Sequence, residues 1–258
     1  MEKKIFPKNY LTEVVLQVDF NNPVRLTSEM IKGIHNALPF EKKEYKENSL
    51  KVYEIKVEKE NESLNIRQVG KSGSFFAQEL EQPVKFMVDN EKFLFSVSKY
   101  SRFSSFFDIF LKGFKALQTI NHVSEFKRLG LRYINIFVFD DEEIKSILDW
   151  RKYFKPAYIP NYEEINIEKT GLSIRRSMNR LIFGDGESFI NAYFGVWNKS
   201  FPGMIVDKEF ILDMDCYVDN KILSEDDVFE MPKMMSEKAY KCFYSIITDR
   251  LEEKLEEK

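Results

Sequence analysis

The sequence predicts an α+β protein of two fused, related halves, each a mainly antiparallel sheet with a short helix after its first strand and a long closing helix. Many short segments alternate apolar and polar residues, which is typical of half-buried strands. Apolar residues recur at spacings of three and four near the end of each half, which indicates amphipathic helices. The same order of elements occurs twice, with an offset of 117 residues between Phe93 and Phe210.

The first half contains most of the predicted strands, at 11–20, 45–59, 64–69, 75–79, 84–88 and 92–100. The first strand is followed by an Asn/Pro turn and by a short helix that carries Met30, Ile31, Ile34 and Leu38. Gly70 to Gly73 is predicted to be a turn, and Asp89-Asn90 is predicted to be the turn of a hairpin. An amphipathic helix at 104–120 closes this half.

The second half repeats this order, with strands predicted at 129–138, 166–178, 180–183, 188–197 and 204–217. Asp140 to Glu143 are predicted to cap a short helix that carries Ile144, Ile147, Leu148 and Trp150. An acidic loop at 219–232 is expected before the closing helix, which begins near Ser236.

The boundary between the halves is predicted around residues 121–127, where the sequence has no Pro/Gly/Ser linker. We therefore expect an N-terminal half at 1–122 and a C-terminal half at 123–258, fused into one compact unit. A cleft between two such halves is the first place to expect a binding site.

Composition narrows the class of protein. With 258 residues and 43% hydrophobic content, the chain can bury a substantial core, and its net charge of −3 gives no overall attraction to nucleic acid or to an anionic membrane. No apolar run approaches the roughly 20 residues of a membrane-spanning helix. Two cysteines and a polar start broken by Pro7 favour a cytoplasmic protein over a secreted one.

The strand that opens the second half contains unusual polar residues. Strand alternation places Arg128 and Arg132 on one face and Asn135 on the other. An arginine inside an apolar strand is costly unless it is paired. Two interpretations remain open: an interior ion pair with a neighbouring strand, or a contact with an anion or a protein partner in the cleft.

Asp213 and Asp215 also share a strand face, and paired carboxylates of this kind suit Mg²⁺ or Mn²⁺. The alternative is a solvated polar edge beside the acidic loop. The equivalent positions of the first half are Ser96 and Ser98, so the repeated architecture does not require carboxylates there.

A basic segment contains Arg175, Arg176 and Arg180 and lies close to aromatic residues. A nucleic-acid groove has this composition, and so does the solvated face of a strand. The two histidines, His35 and His122, lie in or just after predicted helices, and nothing in the sequence predicts nucleophilic catalysis.

The run from Arg128 to Asn135, RLGLRYIN, resembles the characteristic strand of a sporadically distributed, uncharacterised bacterial protein family of roughly this length. The segments 11–18, 212–215 and 243–248 resemble the family at matching places, so the resemblance covers nearly the whole chain. It implies no established activity. The patchy distribution of the family implies a component of a mobile phage-defence or toxin–antitoxin-like system.

Together these patterns predict a non-enzymatic, partner-binding or ligand-sensing protein whose leading contact residues are Arg128, Arg132 and Asn135. A protein partner is expected and no cofactor is required. The alternative is a metal-dependent enzyme that acts on nucleic acid or nucleotide. It would use Asp213 and Asp215 to bind Mg²⁺ and the basic segment to hold phosphates.

Overall fold

A computed structural model describes residues 6–24, 26–27, 32–34, 36, 43–58, 63–79, 84–140, 142–159 and 173–257, with the backbone alone for 43–58 and 63–79. Its framework is one antiparallel sheet of nine strands in the order β2-β3-β4-β5-β1-β6-β9-β8-β7. The strands are β1 Leu11–Phe20, β2 Lys43–Glu58, β3 Ser63–Glu79, β4 Val84–Val88, β5 Lys92–Val97, β6 Phe126–Phe137, β7 Ser177–Gly184, β8 Phe189–Val196 and β9 Phe210–Val218.

The centre of the sheet is the antiparallel pair β1 and β6, with Leu16 opposite Leu131. On one side of this pair the sheet continues through β5, and on the other side it continues through β9. In both directions the first strand of a predicted half therefore lies beside the last strand of that predicted half. The register of β6 against β9 sets Arg132 opposite Asp215 and Ile134 opposite Asp213, and this register positions the site described below.

Helices pack on one face of the sheet. They are α1 Phe103–Ile120, α2 Glu225–Ile246 and α3 Asp249–Glu256, with short 3-10 helices at Ile147–Lys152 and Pro156–Tyr158. The spacing of three and four residues in α1 turns one aromatic stripe onto the sheet, where the ring of Phe110 contacts the edge of the Phe93 ring at 5.5 Å between centroids. None of the helices in the described part of the chain is long and apolar enough to cross a membrane.

The hairpin of β4 and β5 and the bounds of α1 agree with the sequence prediction. Gly70 to Gly73 do not form the predicted turn. They continue β3 and pair with Ser49 to Val52 of β2, because glycine adopts an extended backbone readily when a long neighbouring strand supplies hydrogen bonds.

The closing helix also begins earlier than predicted. Ser224 caps it through a reciprocal capping box with Asp227, and three acidic residues in the first turn lie at the positive end of the helix dipole. Residues 225–232, which the sequence analysis assigned to an acidic loop, are therefore helical, and Pro232 lies inside the helix.

Between β6 and β7, the predicted short helix is a 3-10 helix, Ile147–Lys152, which carries Ile147, Leu148 and Trp150 of the expected residues. Ser146 caps it in place of Asp140 to Glu143, and Ile144 lies before it. Of the other predicted elements, residues 32–34 and 36 of the early helix are helical and residue 177 begins β7. The remainder of the early helix, and residues 166–172 of the strand predicted at 166–178, lie outside the described residues.

Candidate functional site

The two faces of the sheet differ in what covers them. The covered face is the one on which α1 and α2 pack, and it includes Leu131 and Phe137, both fully buried. The opposite face, here called the open face, carries these polar side chains of the central strands: Gln17, Asp19, Arg128, Arg132, Asp213, Asp215 and Tyr217. Gly130 and Ile134 are on the same face. Both predicted arginines and both predicted aspartates therefore share one face, as strand alternation indicated, and Asn135 lies on the other.

Arg132 and Asp213 form a two-point ion pair on the open face. Arg132 Nε donates to Asp213 Oδ1 at 2.7 Å, and Arg132 Nη2 donates to Asp213 Oδ2 at 2.5 Å. The Arg132 side chain is 48% exposed, whereas that of Asp213 is 12% exposed. The hydrogen bond to Asp213 raises the pKa of Arg132 above its ordinary value. The pair thus presents a fixed cation to solvent.

Arg128 and Asp215 form a second, less exposed pair. Arg128 Nη2 donates to Asp215 Oδ2 at 2.6 Å, and the two side chains are 22% and 23% exposed. The guanidinium lies across Gly130, where a Cβ would come within 2.5 Å of Arg128 Nη1, and over the ring of Tyr217 at 5.2 Å from its centroid. Burial raises the pKa of Asp215, and the two arginines act in the opposite direction. The glycine of the RLGLRYIN segment therefore makes room for this arginine.

These contacts bear on the predicted metal site. Both oxygens of Asp213 accept from Arg132, and one oxygen of Asp215 accepts from Arg128. Among the described residues no cluster of three or more His, Cys, Asp or Glu side chains surrounds a common point. Binding of Mg²⁺ at Asp213 and Asp215 would require the arginines to move, and it stays a prediction.

The three arginines of the basic segment make separate contacts. Arg180, on the open face of β7, donates from Nε to Asn191 Oδ1 at 2.7 Å. Arg176 stacks against the rings of Trp197 and Phe201, at 4.0 Å and 4.5 Å from their centroids. Arg175 precedes the strand, and its carbonyl accepts from the Asn198 side chain at 2.8 Å. Of the three arginines, Arg180 lies on the same face of the sheet as the charged side chains of the open face.

Exposed apolar side chains concentrate around β7. Of the nine large hydrophobic residues that are exposed in the described chain, seven fall between positions 181 and 206: Leu181, Ile182, Phe183, Tyr193, Phe201, Met204 and Val206. β7 stands at the end of the strand order and pairs with β8 alone among the described strands. An exposed apolar edge strand is unusual, because it offers both side chains and backbone groups to another chain.

A cavity of about 490 Å³ lies on the covered face, between β6, α2 and the start of α1. Asn135 lines it and donates from Nδ2 to the carbonyl of Leu212 at 3.1 Å. Tyr133 also lines it and donates to Ser236 Oγ at 2.8 Å. Burial raises the pKa of Tyr133 well above its ordinary value and that of Tyr100 to about 12, so both phenols are neutral near pH 7.

The cavity lies between the two predicted halves, where a site was expected, because its lining comes from both 1–122 and 123–258. Its residues come from 6–11, 100–103, 133–137, 214, 236–243 and 255, and most read as ordinary core positions. The one sequence signal for the cavity lining was the polar residue Asn135 on the apolar face of β6.

No family model, curated protein or solved structure matches this chain.

Proposed function

We propose that this protein is a non-enzymatic component that binds a protein partner through the edge strand β7 and the adjoining open face. The observation that carries the proposal is the group of exposed apolar side chains on and around β7. We call Leu181, Ile182, Phe183 and Tyr193 the β7 patch. By register, Ile182 and Tyr193 lie on the open face, and Leu181 and Phe183 lie on the opposite face of the edge strand. Soluble proteins seldom leave apolar side chains exposed on both faces of an edge strand unless another molecule covers them.

The neighbouring charges suit a specific protein contact. Arg180 and the 48% exposed side chain of Arg132 supply cations that hydrogen bonds hold in place. An apolar centre with a charged rim is the usual organisation of a protein interface, and arginine is frequent in its energetically important positions. A strand of the partner can also add to the sheet at β7 through backbone hydrogen bonds.

Two further parts of the proposal have different support. We propose that the halves arose by duplication, because each half places its first strand beside its last and β1 pairs with β6. We also propose that the protein belongs to a mobile phage-defence or toxin–antitoxin-like system. The support for that context is the resemblance of the RLGLRYIN segment to a sporadically distributed bacterial family.

The test is affinity purification of the tagged protein from its own host, followed by native mass spectrometry of the eluted complex. Wild type should carry a protein partner in fixed stoichiometry. Ile182→Lys should abolish the complex, because it places a charge in the β7 patch. Arg132→Ala should also weaken the complex, and it should cost about 1–3 kcal/mol of stability, because it leaves the largely buried Asp213 carboxylate without its two hydrogen bonds.

Val138→Lys is the matched control, since the side chains of Val138 and Ile182 are both 54% exposed and Val138 lies outside the patch. It should retain the partner. Elution of the chain with nucleic acid or metal and without another protein would contradict the proposal. So would an equal loss of partner in Val138→Lys and Ile182→Lys.

A further inference from the structure

The cavity on the covered face has the properties of a small-molecule site. Its volume of about 490 Å³ lies within the range of about 300–1,000 Å³ that ligand pockets occupy. It is lined mainly by aromatic and aliphatic side chains, among them Phe103, Phe137, Met214 and Phe243. A dry, packed interior leaves few spaces of this size, because each void forfeits dispersion contacts.

The polar side chains that line the cavity are neutral or cationic. Tyr100 and Tyr133 are neutral phenols near pH 7, and Asn135 contributes a carboxamide. Two cations, Lys8 and Arg102, also line it, and none of its described lining residues is an Asp or a Glu. The chain as a whole has more acidic than basic residues, 42 against 39, so the excess of cations in the cavity lining is a local feature.

Arg102 and Lys8 are both exposed at the edge of the cavity, and Lys8 Nζ also donates to the exposed Glu257 Oε2 at 3.4 Å. Arg102 Nε donates to Ser105 Oγ at 2.9 Å, which fixes the position of the guanidinium. Arg102 is also the N-cap of α1, and the first turn of that helix contains no acidic side chain. The positive end of the helix dipole therefore adds to the attraction that these two cations exert on an anion.

We infer that this cavity binds an apolar small molecule with an anionic head group, such as a carboxylate. The apolar part lies against the aromatic lining beneath α2, and the head group lies toward Lys8 and Arg102. This inference goes beyond the proposed function and does not depend on it, because the cavity and the β7 patch involve different residues.

The first experiment titrates the protein with decanoate, with decan-1-ol and with decyltrimethylammonium, in an isothermal calorimeter. Decanoate should bind saturably with one molecule per chain. The neutral alcohol should bind about tenfold or more weakly, because it lacks the charge-assisted interaction with the cations. Absence of saturable decanoate binding would overturn the inference, and equal binding of the three probes would overturn the assignment of an anionic head group.

Variants locate the binding. Lys8→Ala with Arg102→Ala should weaken decanoate binding by about tenfold and leave decan-1-ol binding unchanged. Lys99→Ala with Lys241→Ala is the control, because it removes the same charge from exposed positions outside the cavity lining. An equal effect in the two double variants would show long-range attraction and no defined site.

A third variant, Ala239→Leu, fills part of the cavity from α2, where Ala239 is buried and lines it. It should reduce binding of both decanoate and decan-1-ol, with a circular dichroism spectrum like that of wild type. Unchanged binding in folded Ala239→Leu would place the ligand elsewhere and overturn the inference. Should this variant fail to fold, the charge variants decide the outcome.

Discussion

The two faces of the central strand β6 use the same backbone for different purposes. On the covered face, Leu129, Leu131 and Phe137 are fully buried beneath the helices. On the open face, Arg128 and Arg132 are satisfied by aspartates of the adjacent strand β9. Apolar burial therefore stabilises the fold on the covered face of β6. On the open face, ion pairs satisfy the charged side chains of a strand that the helices do not cover.

The largest expected effect on stability comes from truncating side chains on the two faces of β6 and comparing the costs. Leu131→Ala should lower the free energy of unfolding by about 3–5 kcal/mol, because it removes a fully buried side chain and leaves a cavity. Ile134→Ala, on the open face of the same strand, should cost about 1 kcal/mol or less, because Ile134 is already partly solvated. Urea unfolding of the two variants measures the difference. Equal costs would mean that something also covers the open face.

A smaller effect is expected at Gly130, where an added Cβ would come within 2.5 Å of the Arg128 guanidinium. Gly130→Ala should destabilise the fold by about 1–3 kcal/mol, because Arg128 must leave its place against Asp215 and Tyr217. A double-mutant cycle with Arg128→Ala isolates this cause.

In the Arg128→Ala background, Gly130→Ala should cost little, since no guanidinium remains to be displaced. Urea unfolding of wild type and the three variants should give a coupling free energy close to the cost of Gly130→Ala alone. Additive costs would show that the glycine is required for its backbone and that its contact with Arg128 is incidental.

Strand alternation, read from the sequence, was enough to place Arg128 and Arg132 on one face, Asn135 on the other, and Asp213 with Asp215. It could not show that the arginines meet the aspartates. That contact depends on β6 lying beside β9 in one particular register, and strand order is a tertiary property that no local pattern encodes.

Two of the errors of element assignment have local causes. Gly70 to Gly73 have the composition of a turn, but the pairing of β3 with β2 overrides that preference. The acidic run after Ser224 has the composition of a loop, but those carboxylates suit the first turn of a helix, and the Ser224 and Asp227 capping box was the signal to read. A site between the predicted halves was expected, but the side chains that line the cavity were not identified, except for Asn135, because a space between elements has no sequence pattern of its own.

The smallest expected effect is on the pH dependence of stability at high pH, and it arises from Tyr100 beside the cavity on the covered face. Burial raises the pKa of Tyr100 from its ordinary value of 10 to about 12, so the folded state holds this proton more tightly than the unfolded state does. The resulting stabilisation is fully present below pH 10 and is lost as the pH rises toward 12, because only the unfolded chain gains from ionisation in that window.

The free energy of unfolding of Tyr100→Phe should therefore fall less steeply than that of wild type between pH 10 and pH 12. Near neutral pH the two free energies should differ by about 1 kcal/mol. Urea unfolding at steps of pH through this window measures the slope for both proteins. The same slope in the variant and in wild type would mean that the Tyr100 phenol is solvated. Water would then reach the part of the cavity that Tyr100 lines.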